Sequence, residues 1–379
     1  MDNPIKQLIK IILFITWSIN LTSCQYFTMK EYKYDAYASC DKQYQITVYS
    51  SSFHTPNGFL PLVGPTGTLG GPWGSGGSDV VGDGFNEVPK DLRIHFYSET
   101  EDKFYESTFD LPSEEIEKLL QEESTDPLRQ GKTFDDSQSG KVLKYMKYDQ
   151  IIAGVSLGGE VTVWMAGMRE QKLIATYYAK EVPNVKWENI SEYGTREENM
   201  QDNMNTIFSE RVKQEIKNKT LPYKLWQTYK EKYNWSFKLT GTNGEKLNEM
   251  YFKMINAEEE SIYSNNPLLN NDPYQSRAIP YNLEPRWQDA SGQKYVADIM
   301  LREDIKYYLN KYHSEIIKDQ NPQDFQEEEI FKAFNSLDKN KPIEILFKVN
   351  GSNKECKVIV KQENKEIPLT KIIVRVFKD

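Results

Sequence analysis

The sequence has few of the residues that most metal and cofactor sites use. Its 379 residues include three histidines and three cysteines. The histidines, His54, His95 and His313, lie far apart in the chain, and their spacing matches no zinc-binding pattern. The long glycine-rich stretch at residues 64–84 does not end in Gly-Lys-Ser or Gly-Lys-Thr, which excludes a nucleotide-binding P-loop there. We therefore expect no metal and no cofactor.

The chain also lacks an excess of positive charge. It has 47 lysines and arginines against 56 aspartates and glutamates, which gives a formal net charge of −9. Phosphate groups repel an acidic protein, so we expect no nucleic-acid partner. The composition also argues against membrane binding through anionic lipid headgroups, which needs basic patches.

No hydrophobic run near the N-terminus is long enough to cross a bilayer, which takes about 20 residues. The apolar run Ile11–Ile19 follows Lys6 and Lys10 and leads to Leu21-Thr22-Ser23-Cys24. This layout is typical of a secretory signal. Because it ends at a cysteine, it resembles a bacterial lipoprotein signal rather than an ordinary cleaved signal or a transmembrane anchor. The resemblance implies a signal peptide over residues 1–23 and lipidation of Cys24.

The same resemblance implies a location in the bacterial cell envelope. Gln25, which follows the lipidated cysteine, favours sorting to the outer membrane. We expect the lipid on Cys24 to be the membrane contact, because several acyl chains are needed for stable anchoring and the lipoprotein modification supplies them.

Two further cysteines remain in what would be an oxidising compartment. Cys40 and Cys356 could form a disulfide that ties the N-terminal region to the last strands. The alternative is two separate reduced thiols. The sequence leaves both open.

Local patterns predict an α+β fold rich in antiparallel sheets, with amphipathic helices, after the lipoprotein signal. Alternating apolar residues predict strands, and Thr195 with Glu198 forms a capping-box pattern at the start of a helix. We predict a lipid-anchored tether at 24–42, a β-rich first half at 43–190, a helical connection at 191–235, and an α+β second half at 236–379.

The two halves show a weak internal repeat. Leu92 and Phe96 match Leu283 and Trp287 at an offset of 191, and the hairpin at Gly159 matches one 192 residues later. A nearly constant offset favours an internal duplication. A single mixed domain with similar amphipathic elements is the alternative.

The glycine-rich stretch at 64–84 surrounds Trp73. Long segments without regular structure are often functional, so one hypothesis is a partner-binding loop that includes Trp73, Gly74, Asp79 and Asp83. The other is a loop of special backbone shape around a buried Trp73. Asp79, Asp83, Asn86 and Glu87 place oxygen ligands near one another, but their spacing is not that of a calcium loop.

Residues 154–158 read Gly-Val-Ser-Leu-Gly and match the nucleophile elbow of serine hydrolases. That chemistry needs a helix directly after the serine and a histidine later in the chain. Here the residues after Ser156 predict a hairpin and a strand, and His313 is the one histidine that follows. We therefore interpret Ser156 as part of a turn and expect no enzymatic activity.

Several blocks resemble one bacterial lipoprotein family, the domain of unknown function 2931. These blocks are Gly70-Gly71-Pro72-Trp73-Gly74, Pro89-Lys90-Asp91-Leu92-Arg93-Ile94, Phe109-Asp110-Leu111-Pro112, residues 154–164, Arg286-Trp287-Gln288-Asp289 and Lys294-Tyr295-Val296. The chain departs from the family pattern at Ser156-Leu157, where the family pattern favours Ala-Pro. The resemblance carries no known activity and implies a link to type VI secretion.

These observations lead us to expect a non-enzymatic envelope lipoprotein that binds a protein. A sharper version is an immunity or accessory protein whose partner is a secreted toxin. The alternatives are a structural or assembly lipoprotein of the outer membrane or cell wall, and a serine hydrolase that uses Ser156.

Overall fold

A computed structural model describes residues 30–41, 43–62, 73–76, 84–183, 185–191, 194–269, 274–301 and 328–379. Residues 32–379 form one compact unit. The predicted signal peptide, Cys24, Asp79, Asp83 and His313 lie outside the described residues.

The first half of the fold contains fourteen described strands. They are β1 (Glu31–Lys33), β2 (Asp35–Cys40), β3 (Ile46–Val48), β4 (Ser52–Thr55), β5 (Gly58–Pro61), β6 (Phe85–Glu87), β7 (Asp91–Ser98), β8 (Lys103–Asp110), β9 (Thr133–Asp135), β10 (Val142–Lys144), β11 (Gln150–Val155), β12 (Glu160–Gly167), β13 (Glu170–Tyr178) and β14 (Lys180–Glu181). Helix α1 (Ser113–Leu120) buries Ile116, Leu119 and Leu120 on one face.

A helical connection follows, with α2 (Arg196–Asp202), α3 (Glu210–Asn218) and α4 (Leu225–Tyr229). The capping box at the start of α2 is confirmed: the Thr195 side chain accepts from the Glu198 backbone N–H, and the Glu198 side chain accepts from the Thr195 N–H. A π-helical turn, Asn203–Ile207, separates α2 from α3.

The second half contains one described helix, α5 (Glu329–Asn335), and ten described strands. The strands are β15 (Tyr233–Thr240), β16 (Lys246–Met254), β17 (Glu259–Tyr263), β18 (Gln275–Arg277), β19 (Pro280–Gln288), β20 (Lys294–Met300), β21 (Ile343–Val349), β22 (Cys356–Gln362), β23 (Lys365–Pro368) and β24 (Ile373–Lys378). The fold is therefore α+β and rich in antiparallel sheet, as the sequence predicts.

The two halves have the same sheet topology. One sheet has the strand order β14-β8-β7-β4-β5 in the first half, and the second half repeats it as β24-β20-β19-β16-β17. The other sheet is β2-β11-β12-β13 in the first half and β15-β21-β22-β23 in the second. In both cases the first pair is parallel, β2 with β11 and β15 with β21, and the remaining pairs are antiparallel.

The register places the predicted repeat residues at matching positions. Leu92 pairs with Phe53 of β4, and Leu283 pairs with Phe252 of β16. All four side chains are fully buried. Because strand order, direction and register agree, the fold supports the internal repeat, and the two repeated halves lie within one compact unit.

The halves are joined through their sheets. Strand β13 of the first half pairs with β17 of the second at Gln171 and Glu259, which creates one sheet of nine described strands. The first-half sheet β2-β11-β12-β13 is covered on both faces. Ile151 and Val163 face the core of the first half, and Ile152 and Trp164 face a second core that is shared with the helical connection and the second half. Strand β11 is accordingly apolar along most of its length.

The structure corrects part of the predicted tether. Residues 35–40 form β2, a largely buried strand that pairs in parallel with β11, so this segment belongs to the folded core. No helix among the described residues is long and apolar enough to cross a membrane.

Candidate functional site

The described end of the glycine-rich stretch is packed inside the protein. Trp73 is buried and lies edge to face against Trp164, with ring centroids 4.8 Å apart, and it also contacts Trp226 of α4 at 6.4 Å. Aromatic pairs in this geometry are favourable beyond their buried area. Trp73 therefore joins the first-half sheet to the helical connection.

Gly74 lies at the junction between the two halves. Its N–H donates to Ser39 Oγ at 2.9 Å, and its carbonyl accepts from Gln171 Nε2 at 2.8 Å. Its φ of +84° is in the left-handed region, and a Cβ atom here would lie 2.2 Å from Ala257 Cβ. A side chain at this position would therefore strain the backbone and collide with the second half.

These contacts correct the proposed partner-binding role of Trp73 and Gly74. Both residues are buried and hold the glycine-rich stretch onto the core, so neither is available to a partner. The described part of the segment agrees instead with the other hypothesis, a loop of special backbone shape around a buried Trp73. Asp79 and Asp83, the other two residues of that hypothesis, lie outside the described residues.

The junction itself is built from polar contacts between the halves. Trp164 Nε1 donates to the Asn256 carbonyl at 3.1 Å, and Ser261 Oγ donates to the Arg169 carbonyl at 3.2 Å. The backbone N–H of Ser261 donates to the Glu170 carboxylate. Each of these bonds links the first half to the β16–β17 hairpin of the second.

Glu170 lines a narrow cleft at this junction. Its side chain is 7 % exposed, and Lys147 Nζ lies 3.4 Å from its Oε2 atom. The other carboxylate oxygen, Oε1, is buried and has no hydrogen-bond partner among the described residues. The cleft has space for about 10 Å³, close to one water molecule, and its other walls include Ser124, Asp126, Arg129, Met146, Met168 and Tyr263.

The environment of Glu170 favours its neutral form. Burial raises its pKa to about 7, and the nearby Glu260 carboxylate adds to this effect, while Lys147 and the Ser261 N–H oppose it. Oε1 itself is closed off from solvent and has no donor among the described residues. No sequence signal marks Glu170, since its burial depends on a strand about 90 residues away.

Two exposed apolar side chains lie at this cleft or close to it in the chain. Met168, in the turn between β12 and β13, is 58 % exposed and lines the cleft. Leu128 is 77 % exposed and stands between the lining residues Asp126 and Arg129. We call Met168 and Leu128 the apolar rim. Exposed apolar side chains contribute to protein-binding surfaces where they form a contiguous patch.

Ser156 lies in the connection between β11 and β12 and is 1 % exposed. The residues after it form a short 3-10 turn, Leu157–Gly159, and then enter β12. Its Oγ atom has no hydrogen-bond partner among the described residues. The local structure is therefore the predicted strand–turn–strand, whereas a nucleophile elbow continues into a helix.

Cys40 and Cys356 do not form a disulfide in this structure. Both are buried free thiols, Cys40 in the core of the first half and Cys356 in the core of the second. Burial raises the pKa of each thiol to about 12. The structure therefore corrects the disulfide hypothesis in favour of two separate thiols. Among the described residues, no group of three or more His, Cys, Asp or Glu side chains could hold a metal ion.

The fold and the junction define an α+β protein built from two repeated halves. The sequence model of the family described as "Protein of unknown function (DUF2931)" matches residues 22–224, which is more than half of the chain. The chain therefore belongs to this family. The matched residues end just before α4, so they include the first half and the first two helices of the connection, α2 and α3. The comparisons with curated proteins and with solved structures gave no match.

Proposed function

We propose that this protein is a lipid-anchored lipoprotein of a bacterial cell envelope with a non-enzymatic, protein-binding role. The Leu21-Thr22-Ser23-Cys24 sequence supports the anchor, and the apolar run before it supports export. Lipidation at Cys24 would hold the two halves at a membrane surface. Gln25, the residue after the lipidated cysteine, favours the outer membrane.

The observation that carries the binding role is the apolar rim beside Glu170. Met168 at the cleft and Leu128, close to the lining residues in the chain, both offer exposed apolar area. A cleft with space for about one water molecule is too small for a free small molecule, so the exposed side chains around it carry the proposed contact.

Site-specific crosslinking tests this role. A photo-crosslinking amino acid at Met168 should capture a protein in whole cells, identified by mass spectrometry. The same amino acid at Phe377, which is 48 % exposed on β24, is the matched control and should capture much less. Equal capture at both positions, or capture at neither, would contradict the proposed surface.

A sharper form of the proposal is an immunity protein that blocks a secreted toxin in the periplasm. Its support is the family resemblance and its link to type VI secretion. A strain without the gene should lose viability beside toxin-secreting siblings and regain it when the gene is restored. Unchanged survival of the deletion strain would remove the immunity role.

The anchor has its own test. Labelled palmitate should enter the wild-type protein, and Cys24→Ala should abolish labelling and release the protein from the membrane fraction. Met168 variants are the control and should label normally. A Cys24→Ala protein that still fractionates with membranes would refute lipid anchoring.

A further inference from the structure

We infer that the contact that joins the two halves could also join one chain to the next, and that Pro61 and Lys365 prevent this. The two halves join through two sheet edges, one formed by β13 and the other by β17. Because both halves have the same topology, each of these edges has an equivalent in the other half. Strands β13 and β17 use one copy of each edge at the junction. The other copies, β5 and β23, are the last strands of their sheets within the described part of the chain.

The register shows which residue of β5 corresponds to Ser261. Phe53 and Phe252 are equivalent because they pair with Leu92 and Leu283. Phe53 lies opposite Leu60, and Phe252 lies opposite Glu260. One residue further along each strand, Pro61 is therefore the equivalent of Ser261.

The same comparison identifies the equivalent of Glu170. In the first half, Gly167 and Glu170 close a two-residue turn between β12 and β13. In the second half, Gln362 and Lys365 close a two-residue turn between β22 and β23. Lys365 is therefore the first residue of its strand, as Glu170 is of β13.

These two differences remove one of the contacts that join the halves at the junction. At the junction the Ser261 N–H donates to the Glu170 carboxylate. The Leu62 N–H donates to the Ser51 carbonyl, so Leu62 directs its backbone groups toward β4. Backbone groups alternate in direction along a strand, so those of Phe59 and Pro61 point away from β4, toward the open edge of the sheet. Pro61 has no N–H to donate, and Lys365 has no oxygen in its side chain to accept.

Proline and lysine are common at exposed sheet edges because both disfavour the addition of another strand. The joined edges lack proline: β13 reads EQKLIATYY and β17 reads EESIY. The contact would be head to tail, so without such residues it would extend into an open chain of molecules rather than close as a dimer. The blocked partner is therefore a second copy of this protein.

Restoring the two groups should permit the contact. In the full-length lipoprotein, purified in detergent, Pro61→Ser returns the N–H and Lys365→Glu supplies a carboxylate. The wild type should have the mass of one chain at every concentration in native mass spectrometry and sedimentation. The double variant should form species of two, three and more chains as its concentration rises, and each single variant should do so much less.

The matched control is Pro127→Ser with Lys357→Glu, which makes the same two changes at exposed positions away from both edges. It should remain a single chain. Lys365 Nζ also donates to the Ser336 carbonyl at 3.0 Å, so circular dichroism and thermal unfolding must show that each variant is folded. If Lys365→Glu unfolds the protein, Pro61→Ser with Lys365→Gln keeps an acceptor without the charge. A folded double variant that stays at one chain mass would overturn the inference, as would a wild type that associates through β5 and β23.

Discussion

The indole rings of Trp73 and Trp164 meet edge to face with their centroids 4.8 Å apart, and this contact seats the glycine-rich stretch on the first-half sheet. Trp164 in turn binds the Asn256 carbonyl of the second half at 3.1 Å. One tryptophan pair thus connects the glycine-rich loop with a strand of the first half and a turn of the second half. We expect the stability of the whole protein to depend on it.

Trp73→Ala should lower the free energy of unfolding by about 3–5 kcal/mol, the usual cost of removing a large buried aromatic ring. Trp73→Phe should cost less, because a ring still faces Trp164 and the Trp73 Nε1 atom has no described hydrogen-bond partner to lose. Chemical denaturation measures both. Trp187→Ala, at a half-buried position, is the control and should cost clearly less. A Trp73→Ala protein as stable as wild type would show that the packing is unimportant.

The Glu170 carboxyl should make the protein more stable at lower pH. Its pKa is about 7 when folded and near 4.5 when unfolded, so between these values the folded state holds a proton that the unfolded state lacks. Stability from this group is therefore present below pH 4.5 and is lost as the pH rises through about 7. The full effect is at most about 3.5 kcal/mol, since the shift is about 2.5 pKa units and one unit corresponds to about 1.4 kcal/mol.

Glu170→Gln isolates this contribution. The variant keeps an oxygen for the Ser261 N–H and cannot ionise, so it should be more stable than wild type at pH 8 and nearly equal to it at pH 5. Unfolding curves at both values give the difference. Glu210→Gln, which changes a carboxylate that is 75 % exposed, should show no such dependence. A constant difference between Glu170→Gln and wild type across this range would contradict the raised pKa.

The repeat could be predicted from sequence because core positions limit which residues they accept. Leu92 and Leu283 both face a core from the same strand of the same sheet, so both remain leucine while the surface residues around them differ. The start of α2 could also be predicted from sequence, because the capping box of Thr195 and Glu198 depends only on residues that are close together in the chain.

Features set by distant contacts could not be predicted in this way. Strand β2 carries few strongly apolar residues, and its burial comes from parallel pairing with β11, about 115 residues later. The same holds for Glu170, whose donor is on β17 of the other half. Trp73 stood out by its position among glycines, but its burial depends on Trp164 and Trp226.

The two buried cysteines should behave as independent, unreactive thiols. Burial raises both pKa values to about 12, so almost no thiolate forms at neutral pH. A thiol reagent should therefore label Cys40 and Cys356 slowly in the folded protein and fully in denaturant. Gel mobility should be the same with and without reductant. A mobility shift that disappears in Cys40→Ser would show that the two cysteines pair after all.

Ser156→Ala should leave the protein folded and its cellular role intact. The Ser156 hydroxyl is buried without a described partner, and removing such a group avoids the cost of an unmet hydrogen bond, about 1 kcal/mol or more. The variant should thus be as stable as wild type or slightly more so in chemical denaturation, and a deletion strain that carries it should match the wild type in the sibling-killing assay. Gly154→Ala is the contrasting change in the same motif: its Cβ would lie 2.4 Å from the Trp164 ring and should destabilise the fold strongly. A stable Ser156→Ala protein without activity in cells would instead revive the hydrolase hypothesis, because it would separate the hydroxyl from any role in folding.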